Sequence, residues 1–543
     1  MRIVNKLLIG GLSLAVAGVT ITSGLLWYQG STKSTDSLTE RAEERLTVTR
    51  QLLSQDLASA RDTINKQVRT LSDSEGTRTA LASFAEGFAN YQSSDTSPSL
   101  SQYYEREFLG TYQDANPDAA LRSSTILDGM SSRAQAIQTD YIADNPEALG
   151  EKDNMERAGL PTAYDATHGR WHQTFRSFQQ NFGFYDVFLV DAETDAIVYS
   201  VFKEIDFGTS LTSGPFADSG IAEAYQRAMA TGDPQGTALT DYAPYTPSYE
   251  APASFIASPI EIDGEIAGAL IFQMPIEAVN DIMTVGGEWQ DGGLGGTGQA
   301  YLVGPDRALR SESRGMIEDP AAFTASIEAA GMSGDVVSAI RENGTAIGHL
   351  ERDSQAVDEA LAGNSGFMTV TGKDGEPSFA AYAPFDYGDT RFALIAEINK
   401  AEALGPAVAL SNSLLLNSLL TALGVVVAAS LLTALFARRL VRPIIAIRDA
   451  AAAIAEGEAD LTQRLKVDSK DEIGELAGHF NTFIARIEAV LIKAKRNADD
   501  ALGATDHLAQ ISSDLASRSE QAASNLQQTS SAMEEISTTV RNT

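Results

Sequence analysis

Three adjacent pairs of carboxylate or carboxamide residues recur every seven residues near the carboxy end of the chain. They are Glu520-Gln521, Gln527-Gln528 and Glu534-Glu535. Because seven residues make two turns of a coiled-coil helix, the pairs are predicted to lie in one stripe along one helix face. Small flanking residues such as Ser531 and Ala532 leave room for a modifying enzyme to reach the carboxylates. The stripe could therefore be a target of covalent modification.

A heptad register explains why this stripe would be exposed. The seam has Ser519, Leu526, Met533 and Val540 at position a, and Leu515, Ala522, Thr529 and Ile536 at position d. The pairs then fall at positions b and c, outside the buried seam. An alternative interpretation is an exposed coiled-coil face that carries only solvated charge.

The stripe resembles the adaptation helix of methyl-accepting chemotaxis receptors. The family pattern places two small residues and two spacers on each side of a Glu/Gln pair. It fits the second and third pairs, and fits the first loosely because Asn525 replaces a small residue. The resemblance implies methylation at the second member of each pair, with the first members as further candidates. The implied sites are Gln521, Gln528 and Glu535, followed by Glu520, Gln527 and Glu534.

Composition excludes several classes of function. The formal net charge of −33 argues against a nucleic-acid binder, because phosphates would be repelled. The chain has no cysteine, so disulfides and thiolate metal sites are not available. His168 and His172 lie four apart on one face of a probable helix, without a metal-binding motif. We expect a packing or surface role for both, and no metal, cofactor or catalytic residue.

Two apolar runs, 7–28 and 414–437, have the length of membrane spans. Basic residues precede the first run and follow the second, as at Lys6 and Arg438. This pattern predicts cytoplasmic termini, with residues 29–413 across the membrane. A cleaved signal peptide is the competing interpretation of the first run, but its apolar part is long and no clear cleavage site follows. We expect a multi-pass protein of the cell inner membrane with a periplasmic sensor.

The segment after the second run resembles a HAMP linker. Two helices with apolar residues every three or four positions flank an apolar connector. The signature residues are Pro443 near the first helix, Gly457 at its end, and Asp471, Glu472 and Gly474 at the start of the second. The resemblance implies a parallel four-helix bundle in a homodimer. It also implies that motion of the span is converted into a change of helix packing.

The segment between the two runs resembles a double Cache sensor. A helical stretch precedes residue 185, and strands are predicted at 186–191 and 196–200, then at 254–262 and 266–274. Further strands follow at 299–303, 367–371, 379–384 and 392–398. A helical bundle with a single Cache unit is the alternative, because the helical stretch is longer than this family usually needs.

Small ligands of that family bind between the sheet and a capping loop, usually in the membrane-distal module. The resemblance points to Tyr199, Asp206, Tyr242, Tyr245, Tyr249 and Ser258 as ligand-binding residues. The loop from Tyr242 to Tyr249 is stiffened by proline and suits enclosure of a small organic molecule. Alternatively, these tyrosines cover the sheet and bind nothing. The class of ligand stays open.

Together these features predict a multidomain membrane protein. It would have two transmembrane helices, an α+β double Cache (PAS-like) periplasmic sensor with a long helical N-terminal part, a HAMP helical bundle and a coiled-coil signalling helix. The expected bounds are 1–6 cytoplasmic tail, 7–28 first span, 29–184 helical part, 185–285 membrane-distal Cache module, 286–405 membrane-proximal module, 414–437 second span, 438–490 HAMP, and 491–543 start of the methyl-accepting signalling domain.

The predicted function is that of a chemoreceptor, which performs no chemistry itself. The resemblance implies a small periplasmic ligand, a homodimer in higher-order receptor arrays, a cytoplasmic chemotaxis histidine kinase with its coupling protein, and a methyltransferase with a methylesterase or deamidase. The alternative is the sensor half of a histidine kinase or nucleotide cyclase, but no phosphoacceptor or cyclase motif follows residue 490. Because the sequence ends at Thr543, before the family's kinase-docking tip, we expect a fragment of a longer receptor.

Overall fold

The computed structural model describes residues 2–92, 98–117, 119–372, 375–455 and 472–485, with isolated positions between 512 and 531. The chain divides into two compact units. One unit is Lys33–Val408, and the other combines Met1–Thr32 with Ala409–Thr543.

The helices alternate with short loops before the first strand and again between the two sheets. They are α1 (Arg2–Ser72), α2 (Glu75–Ala89), α3 (Pro98–Tyr103), α4 (Leu109–Ala115), α5 (Ser123–Asp128), α6 (Ser132–Gln138), α7 (Ala163–Phe182), α8 (Gly220–Ala230), α9 (Ile276–Met283), α10 (Arg314–Glu318), α11 (Pro320–Ala329), α12 (Gly334–Asn343), α13 (Gln355–Leu361), α14 (Lys400–Ala455) and α15 (Glu472–Ala485). Single π-helical turns occur at Tyr104–Phe108 and Thr139–Ala143, and 3₁₀ turns at Lys152–Asn154, Thr246–Ser248 and Val285–Gly287.

The strands of the larger unit form two antiparallel sheets. They are β1 (Asp186–Asp191), β2 (Ile197–Ser200), β3 (Ala238–Leu239), β4 (Ala243–Tyr245), β5 (Ala251–Ile262), β6 (Glu265–Met274), β7 (Gln299–Val303), β8 (Gly366–Thr371), β9 (Pro377–Tyr387) and β10 (Thr390–Asn399). The first sheet has the order β2-β1-β6-β5-β3, with β4 also paired to β5. The second has the order β7-β10-β9-β8. Two sheets exclude the alternative of a helical bundle with one sheet unit.

Local sequence explains both the strands and their turns. Strand β1 is buried along its whole length, so its central residues are all apolar instead of alternating. Asp263 and Gly264 join β5 to β6, and both have positive φ angles, 53° and 87°. That geometry matches the twist of a hairpin and suits an Asp-Gly pair. The predicted hairpins at β1–β2 and β5–β6 are therefore confirmed.

Helices α2, α7 and α8 pack against the first sheet, and α13 packs against the second. Helix α7 begins at Thr162, whose side chain accepts a hydrogen bond from the Asp165 amide, and ends at Gly183 in a left-handed conformation. His168 and His172 on α7 are fully buried, and their rings stack with centroids 4.5 Å apart. The expected packing role of these histidines is confirmed.

A buried ion pair joins the two sheets. Arg310 follows β7, and its Nε and Nη2 donate to the two carboxylate oxygens of Asp241, which follows β3, at 2.7 and 2.8 Å. Its Nη2 also donates to Asp306 at 2.9 Å. The Arg310 side chain is only 5 % exposed.

The smaller unit contains part of α1 beside part of α14. Trp27 Nε1 donates to Ser411 Oγ at 2.9 Å. Helix α14 continues through Pro443, so the apolar run 414–437 and the first HAMP helix form one continuous helix.

Candidate functional site

A cavity of about 280 Å³ lies between the helices that precede β1 and one end of the first sheet. Five aromatic side chains line it: Tyr103, Phe108, Tyr185, Phe202 and Tyr249. Its charged lining residues are Lys152, Lys203 and Glu204. Rings that bury an apolar body, with a few charged groups that orient it, are typical of a small-molecule site.

Asp186 holds the loop that follows β2 at this cavity. Its carboxylate accepts hydrogen bonds from the Ser200 hydroxyl at 2.6 Å, the Val201 amide at 2.9 Å and the Phe202 amide at 3.0 Å. Burial raises the pKa of the Asp186 carboxyl to about 7, and the Ser200 hydrogen bond offsets part of the rise. The start of β1 thus fixes the backbone that carries Lys203.

Lys203 is buried in a left-handed conformation with φ 61°. Its amide donates to Ser200 Oγ at 2.7 Å, and its Nζ donates to the Val201 carbonyl at 2.9 Å. Burial lowers the pKa of Lys203 to about 7, although the Asp186 carboxylate acts in the opposite direction. A buried ammonium group with one carbonyl partner has donors left for an acidic ligand group.

Two carboxyl groups stand beside this lysine. Glu204 accepts from the Tyr185 hydroxyl at 2.8 Å and the Ser248 hydroxyl at 2.9 Å. Burial, together with nearby Asp206, raises the pKa of Glu204 well above its ordinary value. Asp206 accepts from the Tyr245 hydroxyl through Oδ2, while its buried Oδ1 has no hydrogen-bond partner among the described residues. The loop therefore concentrates charge that burial destabilises.

The helical segment anchors this loop from the other side. Gln138 Nε2 donates to the carbonyls of Ile205 and Phe207, each at 2.7 Å. The Tyr104 hydroxyl donates to Gln138 Oε1 at 2.7 Å. A ligand that moves the loop would consequently also displace Gln138 and the helical segment that carries it.

The six predicted ligand residues do not all lie at the cavity. Only Tyr249 lines the cavity, where its ring stacks on Phe108 at 5.5 Å. Asp206 and Tyr245 are buried next to the cavity and bonded to each other. Tyr199 bonds with its hydroxyl to His172 Nδ1 at 2.8 Å.

The other two predicted residues lie farther from the cavity. Ser258 bonds to Ser72 at 2.9 Å, and Tyr242 stacks on Tyr387 with ring centroids 5.9 Å apart. The residues that sequence analysis missed are Lys203, Glu204, Tyr185, Tyr103, Phe108 and Lys152. No local pattern in the sequence marks Lys203 and Glu204, which follow β2 after Val201 and Phe202.

A protein-family model, the HAMP domain, matches residues 435–489. The chain contains a HAMP domain. Of the predicted HAMP signature, Pro443 lies in α14, Glu472 and Gly474 lie in α15, and Gly457 and Asp471 fall outside the described residues.

Curated proteins that the chain resembles are methyl-accepting chemotaxis proteins of Pseudomonas aeruginosa. TlpQ is 37 % identical over 133 residues, which are 23 % of this chain and 19 % of TlpQ. PctB is 44 % identical over 81 residues, 15 % of this chain and 13 % of PctB. The expected resemblance to this family is confirmed, and the chain spans less than a fifth of the length of these relatives.

The chain also resembles a solved structure, the sensory domain of the Campylobacter jejuni chemoreceptor Tlp3. The sequences are 12 % identical, the match covers 69 % of this chain and 99 % of that one, and the TM-score is 0.31. A likeness at this level says nothing about the ligand of the HAMP-containing chain.

Among the described residues, one helical stretch, Lys400–Leu435, is long and apolar enough to cross a membrane. It adjoins the HAMP domain, as in a membrane receptor. The first predicted span, 7–28, lies within α1 and stays a prediction. In the same described part, no group of three or more His, Asp or Glu side chains could hold a metal ion. Gln521 and Gln527 are helical and exposed, whereas Glu520, Gln528, Glu534 and Glu535 fall outside the described residues.

Burial of the Asp206 carboxyl predicts an unusual pH dependence of stability in this HAMP-containing chain. Burial raises its pKa from 3.8 to about 6. Between these two pKa values the Asp206 carboxyl is protonated in the folded chain and ionised in the unfolded chain. The stability of the fold therefore rises as the pH falls through about 6, and it decreases as the pH rises above that value. Asp206→Asn should remove this dependence. Relative to the native chain, its stability should rise by about 3 kcal/mol between about pH 4 and about pH 8.

Thermal unfolding followed by tryptophan fluorescence, at several pH values, measures this difference. Asp218→Asn is the matched control, because Asp218 is exposed. Equal pH profiles for the Asp206 variant and the native chain would contradict the prediction.

Proposed function

We propose that this chain is a transmembrane chemoreceptor. A small periplasmic ligand binds over the first sheet, and the HAMP domain transmits the signal to a cytoplasmic chemotaxis histidine kinase. Reversible methylation of the paired residues Gln521, Gln528 and Glu535 provides adaptation. The observation that carries this proposal is a cavity with buried charges, in a chain that also has a HAMP domain and resembles methyl-accepting chemotaxis proteins.

The ligand class follows from the cavity lining. Lys152 and Lys203 form no salt bridge with any described carboxylate. At longer range, the charge of Glu107 raises the pKa of Lys152, and the charges of Asp186 and Asp153 raise that of Lys203. A ligand with an acidic group would supply the missing counter-charge, and its apolar part would lie against Phe108 and Tyr249. Pairing a buried ammonium with a carboxylate also relieves part of its desolvation cost.

Signal transmission needs a ligand that binds two conformations unequally. The loop that carries Lys203 and Glu204 is held by Asp186 on the sheet side and by Gln138 on the helical side. A ligand that draws Lys203 toward the cavity would shift the balance between these two anchors. Methyl esterification would bias the same equilibrium by removing negative charge from the signalling helix.

The proposal is tested by screening the full chain in detergent against amino acids, amines and organic acids by thermal shift. An organic or amino acid is expected to raise the unfolding temperature, since a ligand at a hundred times its dissociation constant stabilises by about 2.7 kcal/mol. The shift should disappear in Lys203→Met and persist in Lys66→Met, which alters an exposed lysine on α1. A hit unaffected by both Lys203→Met and Tyr249→Ala would contradict the proposal.

A further inference from the structure

A second and larger cavity, about 460 Å³, lies beside the second sheet. Its lining includes Tyr301 of β7, Phe323 and Ile327 of α11, Arg352 before α13, and Glu397 of β10. This volume suits a small organic molecule. Nothing proposed above for the first sheet involves this cavity.

Most charged groups around this cavity already have partners. Asp353 pairs with Arg307, and Glu318 accepts from Arg314 at 2.8 Å. Glu397 accepts from the Tyr301 hydroxyl at 2.9 Å and from Gln299 Nε2 at 2.8 Å.

Arg314 is committed to the fold as well. It donates to the carbonyls of Gly295 and Gly298 at 3.0 and 2.8 Å, and its guanidinium lies 5.0 Å from the Trp289 ring. Most hydrogen-bond donors of Arg314 are therefore already used within the protein.

Arg352 differs from these arginines. Its guanidinium lies over the ring of Tyr301, with 5.0 Å between Cζ and the ring centroid. Its Nε is buried without a hydrogen-bond partner, and no carboxylate of the described residues forms a salt bridge with it. A stacked guanidinium is oriented in advance, and its fork of donors matches the two oxygens of a carboxylate. Leaving such a donor unsatisfied costs stability unless a ligand supplies the acceptor.

The apolar part of the cavity lies on helix α11 and the loop after it. Phe323, Ile327 and Met332 are partly exposed and pack against the core of the second sheet. Partly exposed apolar side chains that line a cavity gain from burial by an apolar ligand. The cavity thus combines an unpaired cation with an apolar floor.

We propose that this cavity is a second ligand site, which takes a small carboxylic acid with an apolar body. The carboxylate pairs with Arg352, and the body lies on Phe323, Ile327 and Met332. This site goes beyond the proposed function, because it is separate from the cavity over the first sheet. Ligands of the two sites could then act on one receptor together.

The test is titration of the full chain, in detergent, with 3-phenylpropionate by calorimetry. All variants carry Lys203→Met, so that the first cavity does not contribute. We expect binding that Arg352→Gln weakens about tenfold or more, as loss of a charge-assisted hydrogen bond does. Arg341→Gln is the matched control on α12, where the side chain is exposed. Replacing the probe by 3-phenylpropylamine should abolish binding, because the cation would be repelled by Arg352.

Three outcomes would overturn the proposal. They are the absence of binding in the Lys203→Met background, equal affinities for Arg352→Gln and Arg341→Gln, and equal binding of the amine. Since the first cavity is disabled in all of these measurements, failure here leaves the proposed function untouched. Unfolding curves of Arg352→Gln exclude misfolding as the cause of lost binding.

Discussion

Replacing Arg310 with alanine is expected to lower the free energy of unfolding by about 3–5 kcal/mol. The substitution removes the two hydrogen bonds to Asp241 and the one to Asp306, and it leaves the partly buried Asp241 without its counter-charge. It also removes the guanidinium that lies 6.0 Å from the Phe392 ring centroid.

Denaturant unfolding followed by tryptophan fluorescence measures the effect. Arg391→Ala is the matched control: Arg391 pairs with Asp386 at 3.0 Å, but its side chain is 47 % exposed. Exposed pairs contribute about 1 kcal/mol or less. Equal losses in the two variants would contradict the larger contribution expected of the Arg310 pair.

Asp186→Ala is expected to have the second large effect, on stability and on ligand binding together. The substitution leaves the Ser200 hydroxyl and the Phe202 amide without their acceptor inside the protein, whereas the Val201 amide keeps the Val187 carbonyl at 3.2 Å. Each unsatisfied buried donor costs about 1–3 kcal/mol, so a loss of about 3 kcal/mol or more is expected. The loop with Lys203 and Glu204 should then lose its fixed position, and affinity for the ligand should fall at least about tenfold.

Asp186→Asn is expected to reverse both the loss of stability and the loss of binding. Its amide oxygen can still accept from the backbone, so most of the stability should return, as measured by thermal unfolding. Ligand binding should return with it, because the loop is again held in place. A stable Asp186→Ala chain with native affinity would show that Asp186 does not position the cavity.

Local patterns predicted the strands well because their causes lie within a few residues. Buried apolar runs such as 186–191 and the Asp263-Gly264 turn determine strand and hairpin by backbone preference alone. Helix α4 ends at Ala115 and a π-helical turn ends at Ala143, each within two residues of an Asn-Pro pair that disfavours further helix.

The cavity was predicted less well because it depends on contacts between distant segments. Tyr103 and Phe108 meet Tyr249 only after the helical part folds over the sheet, and no local pattern encodes that approach. Tyr242 and Tyr245 of the tyrosine-rich loop are predicted ligand residues, but both side chains are buried in the fold. Lys203 is recognisable only once its burial is known, because a lysine in a sequence is usually exposed.

The same limit applies to the second cavity. Arg352 is one of many arginines in the sequence, and its distinction is the absence of a partner in the described fold. Tyr301 comes within reach of Arg352 because the segment after β7 bonds to the segment before α13, where the Arg352 amide donates to the Arg307 carbonyl at 2.8 Å. Contacts between segments so far apart in the chain cannot be inferred from spacing.

Disulfide formation between α1 and α14, measured with and without bound ligand, tests whether ligand binding moves these two helices. The chain has no cysteine, so introduced pairs are unambiguous. Trp27 bonds to Ser411, and a side chain at Gly30 would lie 3.0 Å from Leu414 Cδ1, which defines two cysteine pairs, 27–411 and 30–414. Saturating ligand should change the relative rates of cross-linking at these pairs, because the proposed function requires small displacements of these helices. Lys203→Met should abolish the change. Bound ligand with unaltered rates at both pairs would contradict transmission through these helices.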